Sequence, residues 1–194
     1  MKLGFYIDSK GCYGCKTCSV ACAQEKQLPD EVYIRRVKEI KQDSPNKSWS
    51  FMSLSCNHCD NPVCVEACPV GAYSKLENGI VIQNHEACIG CQSCIDACPY
   101  KAPQFAADEK KVYKCDLCRD RLERNENPAC VNACPGRYIE FGDIEELKKK
   151  HPDAISDVKD YLPDSSITKA NLLVDVEEAL TKRTTVAVAD CCQH

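Results

Sequence analysis

An α+β fold of two nested cysteine-rich modules with an irregular C-terminal tail is predicted by three observations. Sixteen of the eighteen cysteines fall into four quartets: Cys12, Cys15, Cys18, Cys22; Cys56, Cys59, Cys64, Cys68; Cys88, Cys91, Cys94, Cys98; and Cys115, Cys118, Cys130, Cys134. Short strand-like stretches and turn signals separate them. Ordinary apolar residues are scarce: the 44% hydrophobic fraction counts cysteine, which makes up 18 of 194 residues, and there are only four Phe, two Met and one Trp (Trp49). That is a thin supply for a core of this length.

The first and third quartets read C-x2-C-x2-C-x3-C, the bacterial run for cubane iron–sulfur clusters, and three quartets end in Cys-Pro (Pro69, Pro99, Pro135). In such a run a loop wraps three thiolates around one cluster, and the fourth, a helical turn further on, points to the neighbouring cluster. Structural zinc favours C-x2-C pairs a dozen or more residues apart; only the fourth quartet, C-x2-C-x11-C-x3-C, leaves zinc open when read alone. A disulfide scaffold needs a secreted context, and the N-terminal MKLGFYIDSK shows neither a secretory apolar region nor a twin arginine. Inorganic clusters would replace much of the missing core, so folding is expected to depend on iron.

Residues 51–107 form an inner bacterial-ferredoxin-like module with quartets two and three; Asn78-Gly79 reads as a hairpin turn, and Ile80, Val81 and Ile82 as a short strand. Residues 1–50 with 108–142 form an outer module of the same kind, with quartets one and four. Strand-like LGFYID at 3–8 and KKVYK at 110–114 precede its quartets, and residues 30–50 alternate apolar and charged positions about Ser44-Pro45-Asn46, a hairpin pattern. Residues 143–194 open with Asp143 as N-cap and Glu146 at the third helical position; Lys148, Lys149 and Lys150 occupy the last turn before His151-Pro152 stops the helix. The remainder reads as polar and irregular, with one apolar extended piece at ITKANLLVDV, a tail expected to lie along a partner or stay mobile.

Spacing assigns Cys56, Cys59, Cys64 and Cys98 to one inner cluster, and Cys88, Cys91, Cys94 and Cys68 to its mate. By elimination the outer clusters take Cys12, Cys15, Cys18 with Cys134, and Cys115, Cys118, Cys130 with Cys22. Four [4Fe–4S] clusters are therefore expected, with iron bound through these sixteen cysteines. His58 lacks the second histidine of a Rieske pair and reads as a hydrogen-bond donor to a cluster sulfur or backbone group. Lys16, Lys101 and Lys114, each near a ligand in sequence, would favour cluster reduction through their charge. The run Arg119, Asp120, Arg121, Leu122, Glu123, Arg124 reads as a solvated helical turn, with a docking surface as the alternative. Cys191 and Cys192 are left over as free thiols.

No Gly-rich phosphate loop or nucleophile–base pair is visible, so the chain carries redox chemistry and no substrate site. It is not expected to be an enzyme by itself. The formal charge is −4, and four oxidised clusters at roughly −2 each take it to about −12. That disfavours nucleic acid and suits burial against a larger protein. No stretch approaches the ~18 apolar residues of a membrane span, so membrane contact would go through a partner.

The segments FYIDSKGCYGCKTCSVAC, SLSCNHCDNPVCVEACPVGA, CIGCQSCIDACPYKAPQF, KCDLCRDRLERNENPACVNACP, EFGDIEELKKKH and ITKANLLV together resemble the electron-transfer (iron–sulfur, beta) subunit of the dimethyl sulfoxide reductase family of molybdopterin oxidoreductases. The x2-x4-x3 spacing of the second quartet and the x2-x11-x3 spacing of the fourth are more specific than a generic ferredoxin motif. The resemblance implies a four-cluster relay between a molybdopterin catalytic subunit and a membrane anchor that exchanges electrons with quinol, with the same crossed ligation. Related nitrate reductase subunits replace one cysteine of the third quartet and carry a [3Fe–4S] centre; here Cys91 and its neighbours are intact. Membrane formate dehydrogenase subunits end in a transmembrane helix, which has no counterpart here. Substrate choice would rest with the catalytic partner, and the compartment is open between the cytoplasm and export with a signal-bearing partner. A free-standing polyferredoxin carrier is the alternative reading.

Overall fold

In a computed structural model the chain is described over residues 1–41, 49–158, 161–176 and 188–190. In chain order the elements are β1 (Leu3–Asp8), α1 (Thr17–Lys26), β2 (Arg36–Lys41), β3 (Trp49–Leu54), α2 (Val63–Glu66), β4 (Tyr73–Lys75), β5 (Val81–Gln83), α3 (Ser93–Ala97), β6 (Gln104–Ala106), β7 (Lys111–Tyr113), α4 (Arg119–Glu123), α5 (Ala129–Ala133), β8 (Ile139–Asp143), α6 (Ile144–Lys150), a 3-10 turn (Ser165–Ile167), β9 (Leu172–Asp175) and β10 (Val188–Asp190).

β1 is the centre of a three-stranded sheet, antiparallel to β8 and parallel to β9. A central strand is covered on both faces, which explains its nearly unbroken apolar sequence. Leu3, Phe5 and Ile7 enter the main core with Ile139, Leu172 and Val174, while Tyr6 faces a smaller cluster with Ile144, Leu147 and Leu173. The second sheet has the order β10-β2-β3, and Val37, Ile40 and Met52 join the same main core. Two antiparallel hairpins, β4–β5 and β6–β7, follow quartets two and three.

The expected hairpin over residues 30–50 is β2 paired with β3, register Arg36 to Leu54 through Lys41 to Trp49. Its turn at Ser44-Pro45-Asn46 lies outside the described residues. β3 continues to Leu54, so a division after residue 50 falls inside a strand. The turn at Asn78-Gly79 is present, with Gly79 at φ 85°; its strand runs over Val81–Gln83, one residue later than expected, because Ile80 closes the turn by accepting from Leu76 N–H at 2.8 Å.

Asp143 caps α6 by accepting from the backbone N–H groups of Glu145 and Glu146. Beyond α6 the structure corrects, for residues 151–158 and 161–176, the expectation of an irregular tail that cannot bury itself; residues 177–187 and 191–194 lie outside the described residues. β9 pairs with β1, Leu172, Leu173 and Val174 are buried, His151 stacks on Tyr6 at 3.6 Å, and Ile155 bridges Val174. The segment buries itself because the open edge of β1, over a hundred residues away in sequence, supplies the backbone partners that no local turn could. Cys191 and Cys192 lie outside the described residues.

Candidate iron–sulfur sites

All four quartets use the same local device. The second residue after each first cysteine has a left-handed backbone: Gly14 (φ 75°), His58 (φ 45°), Gly90 (φ 70°) and Leu117 (φ 60°). That conformation turns backbone N–H groups inward. His58 N–H lies 3.4 Å from Cys56 Sγ, and Leu117 N–H lies 3.4 Å from Cys115 Sγ. Glycine is required where space is short, since a Cβ on Gly90 would stand 2.1 Å from the Lys110 carbonyl oxygen, and one on Gly14 would stand 2.6 Å from the Phe51 ring. The last cysteines of quartets two and four accept from the residue four later: Ala72 N–H to Cys68 at 3.3 Å, and Tyr138 N–H to Cys134 at 3.3 Å.

The fold gathers cysteines across quartets. Cys12, Cys15, Cys18 and Cys134 line one pocket, together with Ile7, Val37, Ser53 and Tyr138. Cys56, Cys59, Cys64 and Cys98 line a second, with Val81, Pro99, Tyr100 and Lys114. Cys68, Cys88, Cys91 and Cys94 line a third. Cys22 is within electrostatic range of Cys115, Cys130 and Cys118. The helical turns carrying these thiols pack in the same combinations, α1 against α5 and α2 against α3.

This donor set suits a polynuclear cluster. Among the described residues no three His, Cys, Asp or Glu side chains converge on a single metal ion; the thiols instead stand around shared, mostly apolar spaces. Burial pushes the Cys12 thiol up to about 11, and those of Cys59, Cys64 and Cys118 up to about 12. Several bare thiolates in such surroundings are unfavourable, and cationic iron is the partner that makes them favourable. Cys15 and Cys91 differ. Both are exposed, and hydroxyl hydrogen bonds from Thr17 (3.3 Å) and Ser93 (3.4 Å) lower their pKa.

The surroundings depart from sequence expectation in places. His58 is fully buried; its Nδ1 accepts from Val81 N–H at 3.1 Å, so the ring proton is on Nε2 and the interaction runs opposite to the expected donation. Burial and the nearby cations Lys114, Lys75 and Arg35 hold its pKa well below the usual imidazole value. Lys114 is buried, donates to the carbonyls of Val81 and Cys115 at 2.5 Å each, and lies 3.6 Å from Cys56 Sγ. Lys101 instead donates to the carbonyls of Ile95 and Asp96 at the end of α3, and Lys16 precedes α1 with φ 59°. The α4 arginines are paired within the chain: Arg119 with Glu123, Arg121 with Glu25 and Glu126, and Arg124 with Glu126.

Several contacts were not anticipated from sequence. Tyr73 donates to Cys94 Sγ at 3.3 Å, Ser53 lies 3.2 Å from Cys18 Sγ, and Arg35 is buried among cysteines. Thr17 and Ser93 had a legible signal, a hydroxyl residue immediately before the third cysteine in both C-x2-C-x2-C-x3-C runs.

Comparison with known proteins places iron–sulfur domains over the same stretches of chain. Residues 47–144 match a 4Fe-4S dicluster domain family, and residues 11–72 match a second family of the same description. The chain is 42% identical over 180 residues to the B subunit of the anaerobic dimethyl sulfoxide reductase of Escherichia coli (88% of this chain, 87% of the relative). It is 44% identical over 181 residues to the Haemophilus influenzae protein of the same name (88% and 87%). The B subunit of the polysulfide reductase of Wolinella succinogenes is 37% identical over 178 residues (89% and 93%). Cysteine quartets, dicluster domains and similarity along nearly the whole length converge on one conclusion: the chain belongs to the [4Fe–4S]-binding electron-transfer subunits, themselves non-catalytic, of the dimethyl sulfoxide reductase family of molybdopterin oxidoreductases.

Proposed function

We propose that this electron-transfer subunit holds four [4Fe–4S] clusters in two nested pairs and relays electrons between a molybdopterin-containing catalytic subunit and a membrane anchor or other redox partner. The proposed ligand sets are Cys12, Cys15, Cys18 with Cys134; Cys115, Cys118, Cys130 with Cys22; Cys56, Cys59, Cys64 with Cys98; and Cys88, Cys91, Cys94 with Cys68. Residues 1–50 with 108–142 are the outer module and 51–107 the inner one, with β3 shared at their seam. The packing of α1 on α5 and of α2 on α3 supports that division.

The observation that carries the relay is the placement of exposed thiols. Among the described cysteines, Cys15 and Cys91 are exposed, and the rest are buried or half-buried. Between those two points Cys18 is within electrostatic range of Cys130, Cys56 of Cys115, and both Cys64 and Cys94 of Tyr73. A cluster bound at such a site supplies one-electron redox chemistry without a change of ligands. The polypeptide supplies an apolar, hydrogen-bonded seat for each set of thiols and keeps two edges open to partners. Among the described residues no helix is long and apolar enough to cross a membrane, so membrane association is proposed to come through a partner.

Gentle anaerobic purification from the native source, with iron, molybdenum, tungsten and zinc counted, tests this. Co-migration with a large molybdenum- or tungsten-containing subunit and more than about sixteen irons per copy of this chain is expected. A lone chain with about sixteen irons would favour a free carrier, and a colourless zinc protein would overturn the reading.

A further inference from the structure

Arg35 and Arg36 are adjacent in sequence, yet only Arg35 turns inward. Arg36 donates to the Lys101 carbonyl at the surface, whereas Arg35 is 1% exposed. The Arg35 guanidinium donates through Nη1 to the Ser53 carbonyl at 3.3 Å and to Ser53 Oγ at 3.1 Å, and through Nη2 to Ser55 Oγ at 2.8 Å. Its Cζ lies 4.4 Å from the centre of the Phe5 ring. Among the described residues no carboxylate pairs with it, and its Nε has no partner. A buried charge needs an opposite charge, and the groups within electrostatic range of Arg35 are Cys130, Cys18, Cys115 and Cys22, which carry negative charge as cluster-bound thiolates.

The serine contact has a definite direction. A guanidinium only donates, so Ser53 Oγ accepts from Arg35 and its own proton is free to point elsewhere. Cys18 Sγ lies 3.2 Å from that oxygen, and a metal-bound thiolate can only accept. Ser53 also lines the cavity of Cys12, Cys15, Cys18 and Cys134.

We infer that Arg35 is the internal counter-cation shared by two cluster sites, those of Cys12/Cys15/Cys18/Cys134 and Cys22/Cys115/Cys118/Cys130, and that through Ser53 it directs a hydroxyl proton at Cys18. This rests on the cysteine grouping proposed above. Reduction adds a negative charge to a cluster, so a fixed buried cation favours the reduced form of both. Arg35 is a positioning residue and touches no substrate.

The test is an EPR-monitored redox titration of the full chain, purified with its clusters, as wild type, Arg35→Met, Arg35→Lys and Ser53→Ala. Cys12→Ser and Cys118→Ser identify the signals of the two sites. In Arg35→Met the reduced-to-oxidised ratio of both identified clusters at the wild-type midpoint falls on the order of tenfold, about 59 mV for one electron, while the other two clusters move far less. Arg35→Lys recovers most of the shift, and Ser53→Ala moves only the cluster marked by Cys12→Ser. Unmoved potentials in Arg35→Met with full iron, or all four clusters moving together, overturn the inference. If Arg35→Met does not hold iron, the other two variants decide. Full iron with near-wild-type potentials in Arg35→Lys and a single shifted cluster in Ser53→Ala sustain it, and an unmoved Ser53→Ala sinks it. Two clusters shifting that neither cysteine variant marks would refute the cysteine grouping and leave the counter-cation role standing.

Discussion

At the scale of single residues, the cysteine loops depend on backbone conformation as much as on sulfur. Gly90 sits at φ 70°, and a Cβ there would stand 2.1 Å from a backbone oxygen that no rotamer change can move. Gly90→Ala is therefore expected to cost more than the ~1–2 kcal/mol of a left-handed alanine and to lower the iron content of the Cys88/Cys91/Cys94 site, measured by iron analysis and EPR. Cys134→Ser tests the grouping directly. It is expected to damage the cluster held by Cys12, Cys15 and Cys18, over a hundred residues away in sequence; EPR loss confined to the Cys115/Cys118/Cys130 cluster would refute the crossed ligation.

At the scale of elements, β9 shows how a stretch that reads as a tail becomes part of a core. Its backbone pairs with β1 from Phe5–Leu172 to Asp8–Asp175, and Leu173 packs with Tyr6, Ile144 and Leu147. Leu173→Ala is expected to destabilise the protein by about 2 to 5 kcal/mol, read from urea unfolding. Ile167→Ala, in the exposed 3-10 turn, should stay within about 0.5 kcal/mol. Equal effects would mean that β9 does not contribute to the core. The helical turns behave differently. α2, α3 and α5 have only four or five residues, too short to persist alone, so they depend on the loops and thiols they join.

At the scale of the whole molecule, polar ties connect the cysteine loops to the first sheet. Asp60, beside Cys59, is bonded to Lys2 (2.5 Å), Lys75 (3.4 Å) and Asn171 (3.2 Å). Burial pushes the Asp60 carboxyl up, but the Lys2 and Asn171 hydrogen bonds and the Lys75 and Lys2 charges outweigh it and hold its pKa below the usual carboxylate value. A carboxyl depressed by folding adds stability above its unfolded pKa near 4, and that stability is lost as pH falls through the lower folded value. Asp60→Asn should therefore be less stable than wild type at pH 7, with the gap closing below about pH 4, followed by urea midpoints across that range. A gap unchanged at low pH would assign the effect to packing. Removing iron with a chelator is expected to abolish compactness, seen as rapid proteolysis, because the thiol-lined cavities lie against the main core.

Features set by near neighbours were legible in the residues alone. Four thiolates within eleven residues, a Gly two places after the first cysteine in two quartets, an Asn-Gly turn and an Asp143 cap all act through neighbours a few residues away. From these the ligand type, the cluster loops and the electron-transfer role were legible. Features that depend on distant partners emerged only in the folded chain. The parallel pairing of β9 with β1, the reversed hydrogen bond of His58 and the burial of Arg35 beside Arg36 each arise from groups far away in sequence. A strand's face or a cation's exposure is settled by what packs against it, and that information is spread along the chain.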